Sequence, residues 1–287
     1  MSANLLGYLK FLTLLFYLFQ FVNGSASPTC WSTLNTPSPT STYFILAMGA
    51  NTSDLTMANH DAQAFADAIQ KHFQIPSSQV CVLKNVNFLE VKYALKRLQQ
   101  LVQETDTVFI YFSGHGTTEP ESQTRTDESD CQDEALVTFS RNRDKPQRIL
   151  DDDFVAWVNK IKTDNINVFL DTCFASGMLR GEAHCPNGAK SKFWLNPRMT
   201  TLPRRSCQPD DQLKQLKGTL YAAAQEHQLA WEIPKRGGLF TYTLINNIKQ
   251  ARPNSELDAL FQQTAQQIVK MTKNTACQQH PQKWSTR

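Results

Sequence analysis

Two apolar runs, each followed at once by polar residues, decide the fold of this chain. The first, Thr107–Gly116, reads TVFIYFSGHG, and the second, Asn167–Gly177, reads NVFLDTCFASG. Continuous apolar runs of this kind are typical of central strands that are covered on both faces. Ligands of a parallel sheet bind beyond the carboxyl ends of its strands, so we expect His115 and Cys173 to share one rim of the sheet.

Short apolar runs and helical periodicities alternate along the rest of the chain, which predicts an α/β fold with a mainly parallel central sheet and helices on both faces. We expect strands at 43–49, 79–83, 107–112, 167–170 and 219–224, and helices at 55–73, 88–102, 154–161, 239–248 and 257–271. Ser255 is the expected N-cap of the last helix. The proline-containing segment 184–217 is expected to be an exposed loop, and residues 272–287 a C-terminal tail.

The N-terminal residues differ in composition from everything after them. Lys10 precedes an apolar run, Phe11–Val22, of about 12 residues, which is too short to cross a bilayer as a helix. We therefore expect a signal peptide over 1–24, a Ser/Thr/Pro-rich spacer over 25–42, and a secreted or periplasmic protein without a membrane anchor. An uncleaved anchor over Leu5–Val22 is the alternative, and it would bury Lys10.

Export affects the interpretation of the seven cysteines, because thiols pair in oxidising compartments. Cys173 lies in a strand-like run, and the other six can form three disulfides whose connectivity the sequence does not fix. Cys185 and Cys207 flank the polar segment and are the expected pair. The six are Cys30, Cys81, Cys131, Cys185, Cys207 and Cys277.

The unpaired cysteine and the histidine expected on the same rim indicate a catalytic site. A thiol is little ionised at neutral pH unless a neighbouring base or cation lowers its pKa, and His115 would do so for Cys173. Taken separately, a strand-end cysteine is more often a small buried hydrophobe, and a single histidine more often a surface residue. Their coincidence at two strand ends favours a nucleophile and its base.

Composition and charge argue against a nucleic-acid-binding protein. The 287 residues are 41% hydrophobic, enough for one sizeable core. Their 29 basic and 26 acidic side chains leave a net charge of only +3. No run of basic residues alternates with aromatic ones, so nucleic acid is not an expected partner.

The segments FIYFSGHG and VFLDTCFASG, with Asp133–Leu136 between them and YAAAQEHQLAWE and GGLFTYTL later, resemble the caspase and metacaspase group of cysteine peptidases. The resemblance covers about Tyr43–Val269 and implies a caspase-like domain over 43–271. It implies an endopeptidase in which Cys173 attacks the scissile carbonyl and His115 transfers protons. The backbone N–H groups of Cys173 and Gly116 would hold the oxyanion, and the intermediate would be a thioester.

The same resemblance suggests which side chain is recognised. Asp61 stands where metacaspases carry a pocket carboxylate, and Asp171 lies two residues before Cys173. Two carboxylates favour a cationic side chain, which predicts cleavage after Arg or Lys. Caspases that bind aspartate need an arginine near Ala58, and this sequence has none there. Alternatively, Asp61 caps a helix and Asp171 hydrogen-bonds a loop.

No cofactor is required for this chemistry, but one type of metacaspase is activated by calcium. Asp133, Asp151 and Asp152 match three of that family's calcium positions. The fourth position is in doubt, because CFASG carries one residue more than the family's Cys-x-Ser-Gly and Glu182 is offset. The acidic residues 151–153 are equally consistent with the first turn of a helix, where carboxylates favour the helix dipole.

Processing and specificity are each left with two interpretations. The loop that contains Arg198, Arg204 and Arg205 is either a site of self-processing or a solvated basic loop. The dyad is shared with the legumain and clostripain branch, which raises asparagine as a specificity, and a catalytically silent caspase-fold binding protein is the non-enzymatic rival. By resemblance to metacaspases, we expect a monomer that acts on protein or peptide substrates.

Overall fold

The computed structural model describes residues 30–31, 34, 42–120, 132–141, 146–173, 185, 188–195, 212–225 and 228–286. The expected signal peptide, almost all of the expected spacer and the three loop arginines lie outside these ranges. Within them, every helix is too short or too polar to cross a membrane.

The described residues form twelve strands and five α-helices. In chain order the strands are β1 (Tyr43–Gly49), β2 (Val80–Lys84), β3 (Thr107–Ser113), β4 (Gly116–Pro120), β5 (Gln132–Val137), β6 (Arg148–Leu150), β7 (Ile166–Asp171), β8 (Lys190–Ser191), β9 (Thr219–Ala222), β10 (Trp231–Ile233), β11 (Gly237–Gly238) and β12 (Gln282–Ser285). The helices are α1 (Ala58–Phe73), α2 (Phe88–Leu101), α3 (Asp151–Val158), α4 (Leu239–Gln250) and α5 (Leu257–Thr272).

The central sheet has six strands in the order β12-β9-β7-β3-β1-β2. Five of them are the expected parallel strands, and together with the helices they confirm the predicted α/β class. The sixth, β12, pairs antiparallel with β9. It lies within residues 272–287, so part of the segment expected to be a tail is an edge strand of the sheet.

Side chains of the central strands alternate between two apolar layers, as the period of two in a strand requires. Phe44, Leu46 and Met48 face the layer that holds α2 and α3. Ile45 and Ala47 face the layer that holds α1, α4 and α5. Both layers are fully buried, which is why the two central strands read as continuous apolar runs.

The N-termini of two helices differ in whether a side chain caps them. Asn87 and Glu90 form a capping box at the start of α2, with each side chain accepting the other residue's N–H. The expected cap of α5 is wrong: the residue before the helix is Glu256, without a side-chain cap. The Ser255 hydroxyl instead donates to the Arg252 carbonyl at 2.7 Å.

Two disulfides link described residues, Cys30–Cys81 and Cys185–Cys277. The expected pairing of Cys185 with Cys207 is therefore wrong. Cys185 lies next to the end of α5 in space, with its Cα 5.3 Å from that of Cys277, although 92 residues separate the two in sequence. Cys173 is free, and the remaining two cysteines lie outside the described residues.

Two three-stranded sheets flank the rim of the central sheet, in the orders β4-β5-β6 and β11-β10-β8. Strand β8 belongs to the segment that was expected to be an exposed loop over 184–217. The described residues of this segment are 185, 188–195 and 212–217, and the stretch 188–195 contains a strand and buried side chains, among them Lys192 and Trp194. The reason is pairing with β10, which follows it by about forty residues in sequence.

Candidate active site

Strands β3 and β7 are neighbours and bring the two polar segments to the same rim. Their parallel register pairs Ser113 with Asp171, the last residue of each strand. The Gly114 N–H donates to the Asp171 carbonyl at 3.4 Å, which continues the pairing one residue further. His115 and Cys173 therefore leave the sheet at one edge.

His115 is buried and oriented by a carboxylate that the sequence did not single out. Its Nε2 lies 3.2 Å from Oδ1 of Asp54, and its buried Nδ1 has no hydrogen-bond partner. The hydrogen bond from His115 lowers the pKa of Asp54. A carboxylate can only accept, so Nε2 carries the proton and the free lone pair is on Nδ1.

The Cys173 thiol is fully buried against Ala230. Its Sγ donates to the Ala230 carbonyl at 3.4 Å and accepts the Ala230 N–H at 3.0 Å. Burial raises the pKa of the thiol to about 12. In this arrangement Cys173 is therefore a protonated thiol hydrogen-bonded to the backbone of Ala230, the residue before β10, and it is not hydrogen-bonded to Nδ1 of His115.

Two backbone N–H groups on the rim point at one carbonyl oxygen. The oxygen is that of Lys192, which accepts from Gly116 at 2.8 Å and from Cys173 at 3.4 Å. These are the two groups expected to hold an oxyanion. Glycine is needed at position 116, because a Cβ there would collide with the Cys173 carbonyl and come within 2.7 Å of the Thr172 hydroxyl.

The side chain of the same Lys192 lies between the two carboxylates that were expected to form the pocket. Its Nζ is 3.4 Å from Oδ2 of Asp61 and 3.1 Å from Oδ1 of Asp171. It also donates to the Ser113 hydroxyl at 2.8 Å and to the Asp171 carbonyl at 3.1 Å. All three charged side chains are buried, with exposures of 2% or less.

Hydrogen bonds from α4 and from strand β11 before it fix both carboxylates. The Gly238 N–H donates to Oδ2 of Asp61 at 3.0 Å, and the Thr241 hydroxyl donates to Oδ2 of Asp171 at 2.5 Å. A Cβ at Gly238 would collide with Asp171 and come within 2.7 Å of the Lys192 ammonium. Neither side chain caps a helix or only holds a loop; both face a buried cation.

Electrostatics of the pocket favour a bound cation. Burial raises the pKa of Asp61 to about 6, and the neighbouring Asp171 adds to this, while Lys192 opposes it. Burial by itself would lower the pKa of Lys192, but Asp171 and Asp61 outweigh it and leave that pKa raised. The lysine is therefore charged, and the two carboxylates keep it so in spite of its burial.

The polypeptide on either side of Lys192 runs along the rim in an extended form. Before it, Lys190 and Ser191 pair with β10, and the Lys192 N–H donates to the Ala230 carbonyl at 2.9 Å. After it, Phe193 forms a parallel bridge with Gly116. We call residues 190–194 the docked segment.

The expected calcium residues lie apart from this pocket. Asp133 is buried in β5, and Asp151 begins α3 with both carboxylate oxygens buried and without hydrogen bonds. Burial raises the pKa of Asp151 to about 7, and Asp152 and Asp133 contribute. No three His, Cys, Asp or Glu side chains among the described residues are placed to hold a metal ion, so these carboxylates alone do not fit calcium.

Sequence reasoning missed Lys192, Asp54 and Ala230. The signal for Lys192 was indirect: a buried pair of carboxylates needs a cation, and the chain itself can supply it. Nothing local marks a lysine in a proline-containing segment as buried. Asp54 and Ala230 act through contacts 61 and 57 residues away in sequence.

Comparisons with known proteins agree on the fold. The family model of the caspase domain, a family of peptidases, matches residues 42–287. A crystal structure of a Geobacter sulfurreducens protein, from a structural genomics programme, is similar with a TM-score of 0.62 and 19% identity, over 86% of this chain and 94% of that one. Caspase-1 from Spodoptera frugiperda is similar with a TM-score of 0.51 and 13% identity, over 86% and 87%. Comparison with curated protein sequences gave no significant match.

Proposed function

The chain belongs to the caspase-domain family of cysteine peptidases, and from this premise we propose that it is an endopeptidase that cleaves after arginine or lysine. Cys173 is the nucleophile and His115 the proton-transfer group in this proposal. The N–H groups of Gly116 and Cys173 stabilise the oxyanion. Asp61 and Asp171 bind the basic side chain.

One observation carries the proposal: a single residue occupies both expected subsites at once. The Lys192 carbonyl accepts from both expected oxyanion donors, while its ammonium lies between both expected pocket carboxylates. The two subsites are therefore spaced as the backbone and side chain of one basic residue require. A peptide that binds in this way presents its carbonyl at the residue that carries the thiol.

Activation begins with the thiol. Cys173 must exchange its contact with Ala230 for one with His115, because a thiol with a pKa of about 12 does not attack as it stands. Asp54 holds the Nε2–H of His115 and so keeps the lone pair on Nδ1. Transfer of the thiol proton to Nδ1 forms a thiolate and an imidazolium, which Asp54 stabilises.

Attack of the thiolate on the substrate carbonyl carbon gives a tetrahedral oxyanion. Its negative oxygen lies where the Lys192 carbonyl lies now, in reach of the N–H groups of Gly116 and Cys173. His115 then returns the proton to the leaving amine, and a thioester remains on Cys173. Water, deprotonated by His115, hydrolyses the thioester, so one water is consumed for each peptide bond broken.

The charge of the pocket favours Arg and Lys over Asn and Asp. An asparagine side chain is neutral and would leave two buried carboxylates without a cation. An aspartate would add a third negative charge beside Asp61 and Asp171. The buried thiol favours the alternative hypothesis, a catalytically silent binding protein. A measurement of turnover distinguishes this alternative from the peptidase.

Release of a fluorophore from Arg-, Lys-, Asn- and Asp-ending peptides tests this function. The assay uses the Lys192→Gln variant, whose pocket is free of the lysine, together with its Cys173→Ala counterpart. We expect cleavage of the Arg and Lys peptides alone, and none after Cys173→Ala. Folded protein that cleaves none of the four, and whose thiol does not react with an alkylating probe, would establish the binding-protein alternative.

Calcium, export and the monomeric state are further parts of the proposal. The same assay with calcium or a chelator tests the calcium activation expected from Asp133, Asp151 and Asp152. The two disulfides are compatible with a secretory location. Mass spectrometry of the exported protein tests cleavage after residue 24, and size-exclusion chromatography with light scattering tests the monomer.

A further inference from the structure

We infer, on the basis of the proposed peptidase function, that the acidic pocket distinguishes lysine from arginine and that the preferred substrates are peptides with lysine before the cleaved bond. Charge alone does not separate the two side chains, because both are cations. The discrimination comes from the space and the acceptors around the Lys192 ammonium. Arginine is then a weaker substrate than lysine, although still a better one than a neutral residue.

The acceptors around the ammonium match the three N–H groups of a lysine side chain. Nζ of Lys192 donates to the Ser113 hydroxyl at 2.8 Å, to the Asp171 carbonyl at 3.1 Å and to Oδ2 of Asp61 at 3.4 Å. A fourth oxygen, Oδ1 of Asp171, lies 3.1 Å from Nζ. The lysine is fully buried, so the ammonium lies inside the protein against these four oxygens.

A guanidinium does not fit in the same space. Its central carbon is as many bonds from Cα as Nζ of lysine is, and each terminal nitrogen lies about 1.3 Å beyond that carbon. The four oxygens lie 2.8 to 3.4 Å from Nζ. A terminal nitrogen directed at one of them would therefore come closer than the about 2.7 Å that an N–H···O hydrogen bond needs. Binding of arginine requires the carboxylates to withdraw.

The backbone of β11 limits how far the carboxylates can withdraw. A Cβ added at Gly237 would lie 1.9 Å from Oδ1 of Asp61, and one added at Gly238 would lie 1.9 Å from Oδ2 of Asp171. The Gly238 N–H and the Thr241 hydroxyl also donate to these carboxylates. Moving either carboxylate would break a buried hydrogen bond, which is costly because the donor is left without a partner.

The carboxylates also lack the arrangement that favours arginine. A guanidinium binds best when two parallel N–H groups reach both oxygens of one carboxylate. In Asp171, Oδ2 accepts the Thr241 hydroxyl at 2.5 Å, and Oδ1 is the oxygen paired with the cation. In Asp61, the oxygen paired with the cation is Oδ2, which also accepts from Ser113 and Gly238. One paired oxygen from each carboxylate suits a single ammonium.

Ser113 is the specificity-determining residue in this inference. Its hydroxyl accepts from the ammonium at 2.8 Å and donates to Oδ2 of Asp61 at 3.0 Å. Removal of the hydroxyl takes away the shortest contact of the ammonium and opens space beside Asp61. We therefore expect the loss of this one oxygen to shift the preference from lysine towards arginine.

Cleavage of peptides that differ only in ending on lysine, arginine or ornithine tests the inference on the Lys192→Gln protein at pH 8. We expect kcat/KM for lysine to exceed that for arginine by at least about tenfold, because an overfilled buried site is destabilised. Ornithine, which is one methylene shorter than lysine, should be cleaved at least about tenfold more slowly than lysine.

Two variants in the same protein test the role of the hydroxyl. Ser113→Ala should lower the lysine-to-arginine ratio by about tenfold, because a hydrogen bond to a charged group is lost. Thr243→Ala is the matched control, since its buried hydroxyl bonds to the Leu239 carbonyl within α4, and it should leave the ratio unchanged. The ratio cancels any difference in the amount of active protein.

The stability of the full chain gives a second test that needs no turnover. Lys192→Arg places a guanidinium in the pocket, and we expect it to lower Tm by about 3–10 °C. Lys190→Arg is the matched control, because the Lys190 ammonium donates to the Asp54 carbonyl instead of the pocket, and it should change Tm by less than about 2 °C. In a Ser113→Ala background, Lys192→Arg should lower Tm by less.

The outcomes separate this inference from the proposed function. Arginine peptides that are cleaved as fast as lysine peptides, or a Lys192→Arg protein as stable as wild type, would overturn the inference while cleavage after basic residues stands. Folded Lys192→Gln protein that cleaves none of the peptides would count against the function. The Tm comparison would then still decide whether the pocket distinguishes the two cations.

Discussion

Among the buried carboxylates of the described residues, two groups differ in what neutralises them. Asp61 and Asp171 surround the Lys192 ammonium and accept hydrogen bonds from Ser113 and α4. Asp151 lies at the start of α3 with both oxygens buried and unbonded. Burial raises the pKa of Asp61 to about 6 and that of Asp151 to about 7.

The two groups differ in whether a residue distant in sequence supplies a cation. The pocket draws its cation from a segment 131 residues away from Asp61, and the chain places that residue with its backbone in the expected oxyanion site. At Asp151, the N–H groups of the first helical turn lower the pKa only in part. Lys192 compensates the buried charge of Asp61 and Asp171, whereas the carboxylate oxygens of Asp151 have no hydrogen-bond partner among the described residues.

The largest effect is expected from removing a pocket charge. In the Lys192→Gln protein, Asp171→Asn should lower kcat/KM for an Arg peptide by about 10²- to 10³-fold, because a buried cation loses its nearer carboxylate. Fluorophore release measures it. The neutral citrulline peptide, nearly isosteric with arginine, is the control and should change by less than about tenfold. An equal loss on both peptides would indicate general damage to the site.

A steric change at the same pocket should have a somewhat smaller effect. Gly238→Ala places a Cβ against the Asp171 carboxylate, so the pocket must widen or shift. We expect a loss of about 10- to 100-fold in kcat/KM for Arg peptides, mainly through KM. Alkylation of Cys173 by a small probe should continue at the wild-type rate. A variant with unchanged KM would contradict the geometry of the pocket.

The pH dependence follows from Asp61. Its raised pKa of about 6 means that it carries a proton below pH 6 and a negative charge above it. Lys192 lowers this pKa, so in the Lys192→Gln protein the pKa lies higher, and the preference for Arg over citrulline should fall by up to about tenfold for each pH unit below it. Taking the ratio of the two peptides cancels every effect of pH on steps that the two peptides share. In Asp61→Asn the ratio should be low and independent of pH. A ratio that still changes with pH in this variant would show that a group other than Asp61 is responsible.

The smallest effect is expected at Asp151 and has the opposite sign. Its folded-state pKa of about 7 lies above the usual value, so its contribution favours folding at low pH and is lost as pH rises through 7. Without calcium, Asp151→Asn should raise Tm by about 2–4 °C at pH 8 and by less at pH 5. Asp171→Asn should lower Tm. A fall in Tm for Asp151→Asn would show that this carboxylate already has a stabilising partner.

The sequence predicted the parts of the fold that depend on local patterns. Strand β1 has the expected bounds, and the two apolar runs became adjacent central strands because continuous hydrophobicity requires cover on both faces. Strand β12 was missed, since four residues, QKWS, carry no periodicity and pair with a strand that is distant in sequence. The Cys185–Cys277 bond was missed because spacing does not determine connectivity.

At the site, the rim residues could be predicted and their neighbours could not. His115 and Cys173 follow apolar strands, so their edge of the sheet is implied by topology. Lys192 has no such marker, because its burial depends on two carboxylates from other elements. The buried lysine was found only from its contacts in three dimensions.

The most direct test of the central claim compares Arg and citrulline peptides that are otherwise identical, on the Lys192→Gln protein at pH 8. If Asp61 and Asp171 select a cation at the residue whose carbonyl faces Cys173, kcat/KM for the Arg peptide should exceed that for citrulline by at least about 10²-fold. This preference should disappear in the Asp61→Asn/Asp171→Asn double variant. Equal cleavage of the two peptides by folded, active protein would contradict the claim.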